Sequence, residues 1–165
     1  GELCDVWQSR LEVDPDAATV LRELSATAPI GLVSNFDHPA HVKKVMRISG
    51  LGAYFQTVII SGEENIKKPD PQILLLACRR LNCSPAVSFY IGDSIVDYEA
   101  AVGAKMTPII IRRAGQGEIE NTRDTGSKYA ESDYFLRKKH ESGELRIIAG
   151  LNEIPAILRE MKGSK

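Results

Sequence analysis

Four times along this chain, a short apolar run rich in β-branched or aromatic residues stands next to a stretch with helical spacing. The runs are 29–33 (PIGLV), 55–60 (FQTVII), 87–90 (VSFY) and 107–111 (TPIII). The helical stretches are 17–26, 38–49, 72–81 and 98–103, with stripes such as Val20, Leu21 and Leu24 or Ile73, Leu74, Ala77 and Leu81. Apolar strands separated by helices at short spacing are the pattern of a parallel sheet with helical crossovers. A last strand is expected near 145–148 and a closing helix over 151–161, with Ile154, Ile157 and Leu158 facing inward. Between them and the fourth run, residues 112–143 are dominated by Gly, Glu, Arg, Lys, Ser and Asp, with Tyr129, Tyr134, Phe135 and Leu136 as the only anchors. They are expected to form a long, polar, mobile loop.

Size and charge narrow the classes. A chain of 165 residues, 43% hydrophobic and 26% charged, can bury the core of one α/β domain. Its formal net charge of −1 gives no general argument for a nucleic acid or membrane partner. No apolar run approaches the roughly 20 residues needed to span a bilayer, and the opening GELCDVWQSR has no secretory pattern. Cys4, Cys78 and Cys83 make no paired framework, so reduced thiols and a cytoplasmic location are expected.

The chemistry gathers where the strands end. Ile91-Gly92-Asp93-Ser94-Ile95-Val96-Asp97 joins the third strand to a helix of small residues. Asp93 stands at the strand's carboxyl end, and Asp97 follows about one helical turn later on the same face. Two carboxylates there suit a hard divalent cation, or they cap the helix. Ser34 ends the first strand, and Lys68 lies in the loop after the second. In a parallel sheet these ends share one edge. Ser34 and the amides beyond it can then hold phosphate oxygens, Lys68 supplies a point charge, and Asp93 holds a cation.

Ser34-Asn35-Phe36-Asp37, Lys68-Pro69-Asp70-Pro71 and Gly92-Asp93-Ser94-x-x-Asp97, followed by Ala100-Ala101-x-Gly103, resemble the second, third and fourth motifs of the haloacid dehalogenase-like hydrolases. The fit is to their helical-capped phosphatase branch and covers residues 15–111. The resemblance implies a doubly wound, Rossmann-like parallel sheet. Residues 1–14 would then be the tail of a cap or a linker, and 15–165 the core domain. It also implies that Ser34 and Asn35 contact the transferred phosphoryl group and that Lys68 stabilises its charge. Asp93 would ligate Mg2+, and Asp97 would support Lys68 or the metal shell.

One part of the family pattern is missing. The family's nucleophile belongs to an Asp-x-Asp pair ending an N-terminal central strand, ahead of all three motifs. The one Asp-x-Asp here, Asp14-Pro15-Asp16, has no apolar strand before it and a helix directly after, so it reads as a helix cap. Asp5 also lacks a strand. Without the central strand, two rows of backbone groups would face each other unpaired. The expectation is that an N-terminal fragment or a second chain supplies the strand, and that these 165 residues alone do not turn over substrate.

Other candidates have plainer readings. His38 and His41 flank the phosphate loop without a third ligand, Lys67 is a solvated neighbour, and 137–140 (RKKH) is a solvated face. Trp7 packs on the core or cap, and Gly115-x-Gly117 lacks a strand-to-helix setting. The function expected is a magnesium-dependent phosphatase acting on a small phosphorylated metabolite through an aspartyl-phosphate. The alternatives are a 2-haloacid dehalogenase and a non-catalytic interaction module. A receiver domain is set aside because its acidic pair precedes the lysine.

Overall fold

The structure, a computed structural model, describes residues 12–113 and 128–163. Its elements run α1 (Ala17–Ser25), β1 (Gly31–Ser34), α2 (Pro39–Ile48), β2 (Thr57–Ile60), the single turn α3 (Ser61–Glu64) and α4 (Gln72–Leu81). There follow β3 (Phe89–Gly92), α5 (Ile95–Gly103), β4 (Thr107–Ile111), α6 (Lys128–Glu141), β5 (Arg146–Ile148) and α7 (Ile154–Gly163). All three strand pairings are parallel. Gly31 lies opposite Thr57, Phe89 opposite Thr107, and Ile109 opposite Arg146.

Helices cover both faces, as a doubly wound sheet requires. On one face Ile59, Ile73, Leu74, Ala100 and Ala101 form a cluster joining β2, α4 and α5, with Val33 and Tyr90 packed against it. On the other, Ile109, Ile111 and Ile148 meet Val20 of α1 and Ile154 and Ile157 of α7. Alternation along β4 turns Ile110 away from that cluster to Leu136 and Leu145. The alanines of α5, fully buried at 100 and 101, let this helix approach closely; at its end, a Cβ on Gly103 would sit 3.2 Å from Pro71.

The strands form a pair, β1–β2, and a trio, β3–β4–β5; among the described residues no ladder joins β1 to β3. The break falls between the strand ending at Ser34 and the strand leading to Asp93, where the sequence reading leaves a central strand out. Burial follows the break. Every residue of β1 and β3 is only part-buried, whereas Ile59, Ile60, Ile109 and Ile110 are almost inaccessible.

Three local expectations change. Residues 128–141 of the expected loop form α6; 114–127 lie outside the described residues. A helix this polar gives little periodic signal, and it is secured by Leu136, which is fully buried, and by the Asp133–Arg137 and Lys138–Glu141 pairs. Tyr134 is 64% exposed and anchors nothing in the core, while Phe135 touches Tyr98 edge-on at 5.7 Å. Helix α5 begins three residues earlier than its apolar pattern suggests, because Ser94 caps it. At α1, Asp16 occupies the N-cap without a side-chain cap bond; Asp14 accepts the Asp16 amide at 2.9 Å and pairs with Arg113 at 2.7 Å. The hydrogen bond from Arg113, and after it that amide, hold the Asp14 carboxyl below its ordinary range. No helix among the described residues is long and apolar enough to cross a membrane.

Candidate active site

The site is built from three loops at the carboxyl ends of β1, β2 and β3. The loop after β2 carries Lys68. Asp70 accepts the Gln72 amide at 2.9 Å, which turns the chain through Pro69 and Pro71 into α4. The loop after β1 is clamped to it. Asn35 donates from Nδ2 to the Lys68 carbonyl and accepts the Lys68 amide at Oδ1, both at 2.9 Å. The Asn35 side chain is thus committed to the Lys68 peptide unit, and its main chain is the part that continues the Ser34 rim. Behind them, Ser61 accepts the Phe36 amide at 2.9 Å. A Cβ on Gly62 would come within 2.9 Å of the Phe36 carbonyl, so the two loops meet backbone to backbone.

The third loop leads into the first turn of α5, where Asp97 lies, and both of its oxygens are in use. Oδ2 accepts the amides of Asp93 and Ser94, at 3.1 and 3.0 Å, and the Ser94 hydroxyl. Oδ1 accepts from Lys68 Nζ at 2.7 Å and from the Tyr90 hydroxyl at 3.2 Å. This carboxylate therefore caps the helix through one oxygen and pairs with Lys68 through the other. Gly92 makes the arrangement possible, since a Cβ there would lie 2.4 Å from Asp97 Cβ. Burial pushes the Asp97 carboxyl up. Hydrogen bonds from Lys68 and Ser94, together with the ammonium charge, outweigh it and hold the carboxyl below its ordinary range.

Lys68 and Asp97 form a dry pair, their side chains 10% and 4% exposed. Lys68 Nζ also donates to the Tyr90 hydroxyl at 3.0 Å and reaches the Val33 carbonyl at 3.5 Å, beside Ser34. Asp93 differs from Asp97. It is exposed at the rim, and among the described residues no hydrogen bond or ion pair to its carboxylate is seen. Its carbonyl accepts from Arg112, whose guanidinium also pairs with Asp133 of α6 at 3.3 Å.

Hydrogen bonds thus link the segments 33–35, 68 and 93–97 across three strand ends. Sequence reasoning missed Tyr90 and Arg112. Tyr90 could have been found from strand alternation, which puts it on the Gly92 side with a polar tip; Arg112 directly follows β4 at the same rim. The remaining described candidates lie elsewhere or face solvent. His41 is buried and stacked on Phe36 at 5.6 Å, while His38 is exposed at the start of α2 with Phe36 edge-on at 6.3 Å. Lys67 is exposed. Cys4, Asp5, Trp7, Gly115 and Gly117 lie outside the described residues.

A hard cation would find one free carboxylate here, Asp93. No group of three or more His, Cys, Asp or Glu residues that could hold a metal is present among the described residues. A single rim carboxylate such as Asp93 is a ligand that Mg2+ can take, with water and substrate oxygens completing the shell.

Parallel α/β strands with a buried ammonium–carboxylate pair and an exposed carboxylate at their carboxyl rim place the charged groups where sheets of this class bind ligands. Comparison names the family. Residues 4–105 match the model of the haloacid dehalogenase-like hydrolases, and the chain belongs to that family. It is 31% identical over 112 residues to a glyceraldehyde 3-phosphate phosphatase of Methanopyrus kandleri, covering 67% of this chain and 48% of that protein. It is 35% identical over 91 residues to the phosphoglycolate phosphatase of Escherichia coli, covering 54% of this chain and 36% of that one. The chain thus spans about half or less of these relatives. Among solved structures, a phosphatase of the same superfamily from Thermococcus onnurineus superposes with a TM-score of 0.70 at 26% identity, covering 95% of this chain and 63% of the other. The L-2-haloacid dehalogenase of Xanthobacter autotrophicus, at 21% identity and a TM-score of 0.67, shares the fold.

Proposed function

We propose that this chain is the core of a cytoplasmic, magnesium-dependent phosphatase acting on a small phosphorylated metabolite. The observation that carries the reading is the Lys68 ammonium, buried against Asp97 and reaching the Val33 carbonyl beside Ser34. An ammonium at that point, fixed by its hydrogen bond to Asp97, offers charge to an anion on the rim. The phosphatase relatives support an ester of the size of glyceraldehyde 3-phosphate or phosphoglycolate.

Each residue then has a role. The Ser34 hydroxyl and the main-chain amides that follow it bind phosphoryl oxygens; Asn35 keeps that loop in register with Lys68. Lys68 neutralises charge that builds on the phosphoryl group. Asp97 fixes the ammonium, and Asp93 would hold Mg2+, which supplies further charge neutralisation when bound. The nucleophile is an aspartate on a strand seated between β1 and β3, supplied by an N-terminal segment or a second chain. Its carboxylate attacks phosphorus as the ester P–O bond breaks, and the leaving alkoxide takes a proton from the second aspartate of the Asp-x-Asp pair, which later recovers one from the attacking water. Water then attacks phosphorus, releasing inorganic phosphate and restoring the carboxylate.

The test is hydrolysis of a phosphomonoester panel, with and without Mg2+, by the protein joined to a strand bearing Asp-x-Asp. Activity should require Mg2+ and fall at least a hundredfold in Lys68→Ala and in Asp93→Asn. Unchanged rates in both variants would overturn the reading. Metal-independent release of halide from a 2-haloacid would replace it with the dehalogenase alternative.

A further inference from the structure

Lys68 Nζ carries three N–H bonds, and three acceptors surround it: Asp97 Oδ1 at 2.7 Å, the Tyr90 hydroxyl at 3.0 Å and the Val33 carbonyl at 3.5 Å. The first two are good hydrogen bonds, and the third is at the limit of one. Val33 belongs to β1, whose edge toward β3 carries no ladder among the described residues. The proton aimed at Val33 is thus the one an anionic oxygen beside Ser34 can take most cheaply. Tyr90 decides this choice as much as Asp97 does. Its hydroxyl accepts from Lys68 and donates to Asp97 Oδ1 at 3.2 Å, closing a three-membered ring of hydrogen bonds. The phenol is held in place from behind, because β3 packs Tyr90 against the cluster of Ile59, Leu74 and Ala100.

We propose that the Tyr90 hydroxyl is a positioning group: it occupies the second N–H of Lys68 and so directs the remaining one at the substrate's phosphoryl oxygen. The proposal rests on the phosphatase reading for the identity of that oxygen. It assigns to Tyr90 no contact with substrate and no proton transfer in the reaction. The alternative is that the hydroxyl only satisfies a buried polar pair.

Tyr90→Phe separates the two, since it deletes one oxygen and leaves the ring packed. In the 165-residue chain labelled with 15N, the Lys68 ammonium is observed directly by NMR, its signal identified by its absence in Lys68→Arg. Its protons should exchange with water at least fivefold faster in Tyr90→Phe than in the unsubstituted chain; equal rates overturn the proposal. In the strand-completed enzyme, Tyr90→Phe should lower kcat about tenfold with KM within twofold. A kcat within twofold of the parent also overturns it. Should Tyr90→Phe not fold, the unsubstituted chain decides: a slowly exchanging Tyr90 hydroxyl proton in contact with the Lys68 ammonium is expected, and its absence overturns the proposal. If the parent enzyme hydrolyses no phosphomonoester, the phosphatase reading falls, while the exchange measurement still decides whether Tyr90 holds Lys68.

Discussion

A methyl group added at Gly92 would place its carbon 2.4 Å from both Cβ and Cγ of Asp97. Neither partner can yield, because Asp97 is held by five donors and Gly92 is the last residue of β3. Gly92→Ala should therefore push Asp97 off Lys68. The expected loss of stability is about 3 kcal/mol, combining overpacking with a broken buried ion pair. It would be read as a lower urea midpoint at unchanged slope. Tyr90 gives a prediction at alkaline pH. Burial, then the nearby Asp97 charge, raise its phenol well above the ordinary tyrosine value of about 10. Above that pH the unfolded chain releases a proton that the native state keeps, so stability falls with rising pH. The slope owed to this group is up to about 1.4 kcal/mol per pH unit, and Tyr90→Phe should remove it. Urea melts of both proteins between pH 9 and 12 measure the difference. A parallel decline in the two would show that other groups account for the alkaline limb.

Helix α6 shows how unequal the holds on one element can be. Leu136, fully buried, joins it to Ile110 and Leu145, whereas Asp133 binds Arg112 and Arg137 at a partly wetted surface. Leu136→Ala should cost about 3 kcal/mol, and Asp133→Ala about 0.5 kcal/mol; thermal unfolding of both variants tests the ratio. This helix was also the element least legible in the sequence. Strands β2 and β4 announce themselves through FQTVII and TPIII, and α4 through its stripe ending at Leu81. By contrast, α6 rests on one leucine amid charges, so its period is lost in composition. Within the site, Ser34, Lys68, Asp93 and Asp97 could be picked out because strand ends draw attention to them. The commitment of the Asn35 amide to the Lys68 backbone could not, since it depends on how two loops 33 residues apart approach each other. Tyr90 sat in plain view as a strand residue, and only its hydroxyl's partners reveal a second use.

At the scale of the whole molecule, the sheet's interruption between β1 and β3 should be visible in amide exchange. Inner strands are normally the slowest to exchange. Here the expected order is reversed: amides of β1 and β3 on the facing edges should exchange faster than those of β2 and β4, whose Ile59, Ile60, Ile109 and Ile110 are almost wholly buried. Adding a peptide that pairs between them should slow the first set selectively. Uniform protection across all four strands would show that the interruption is filled in solution. Lys68 follows the strand pair β1–β2, and Asp97 follows β3 of the strand trio, so their bond is a rivet across the seam. Loss of either side chain would therefore loosen the join between the two halves whatever chemistry they serve, whereas Asp93, whose carboxylate makes no hydrogen bond or ion pair among the described residues, could change without that cost to cohesion.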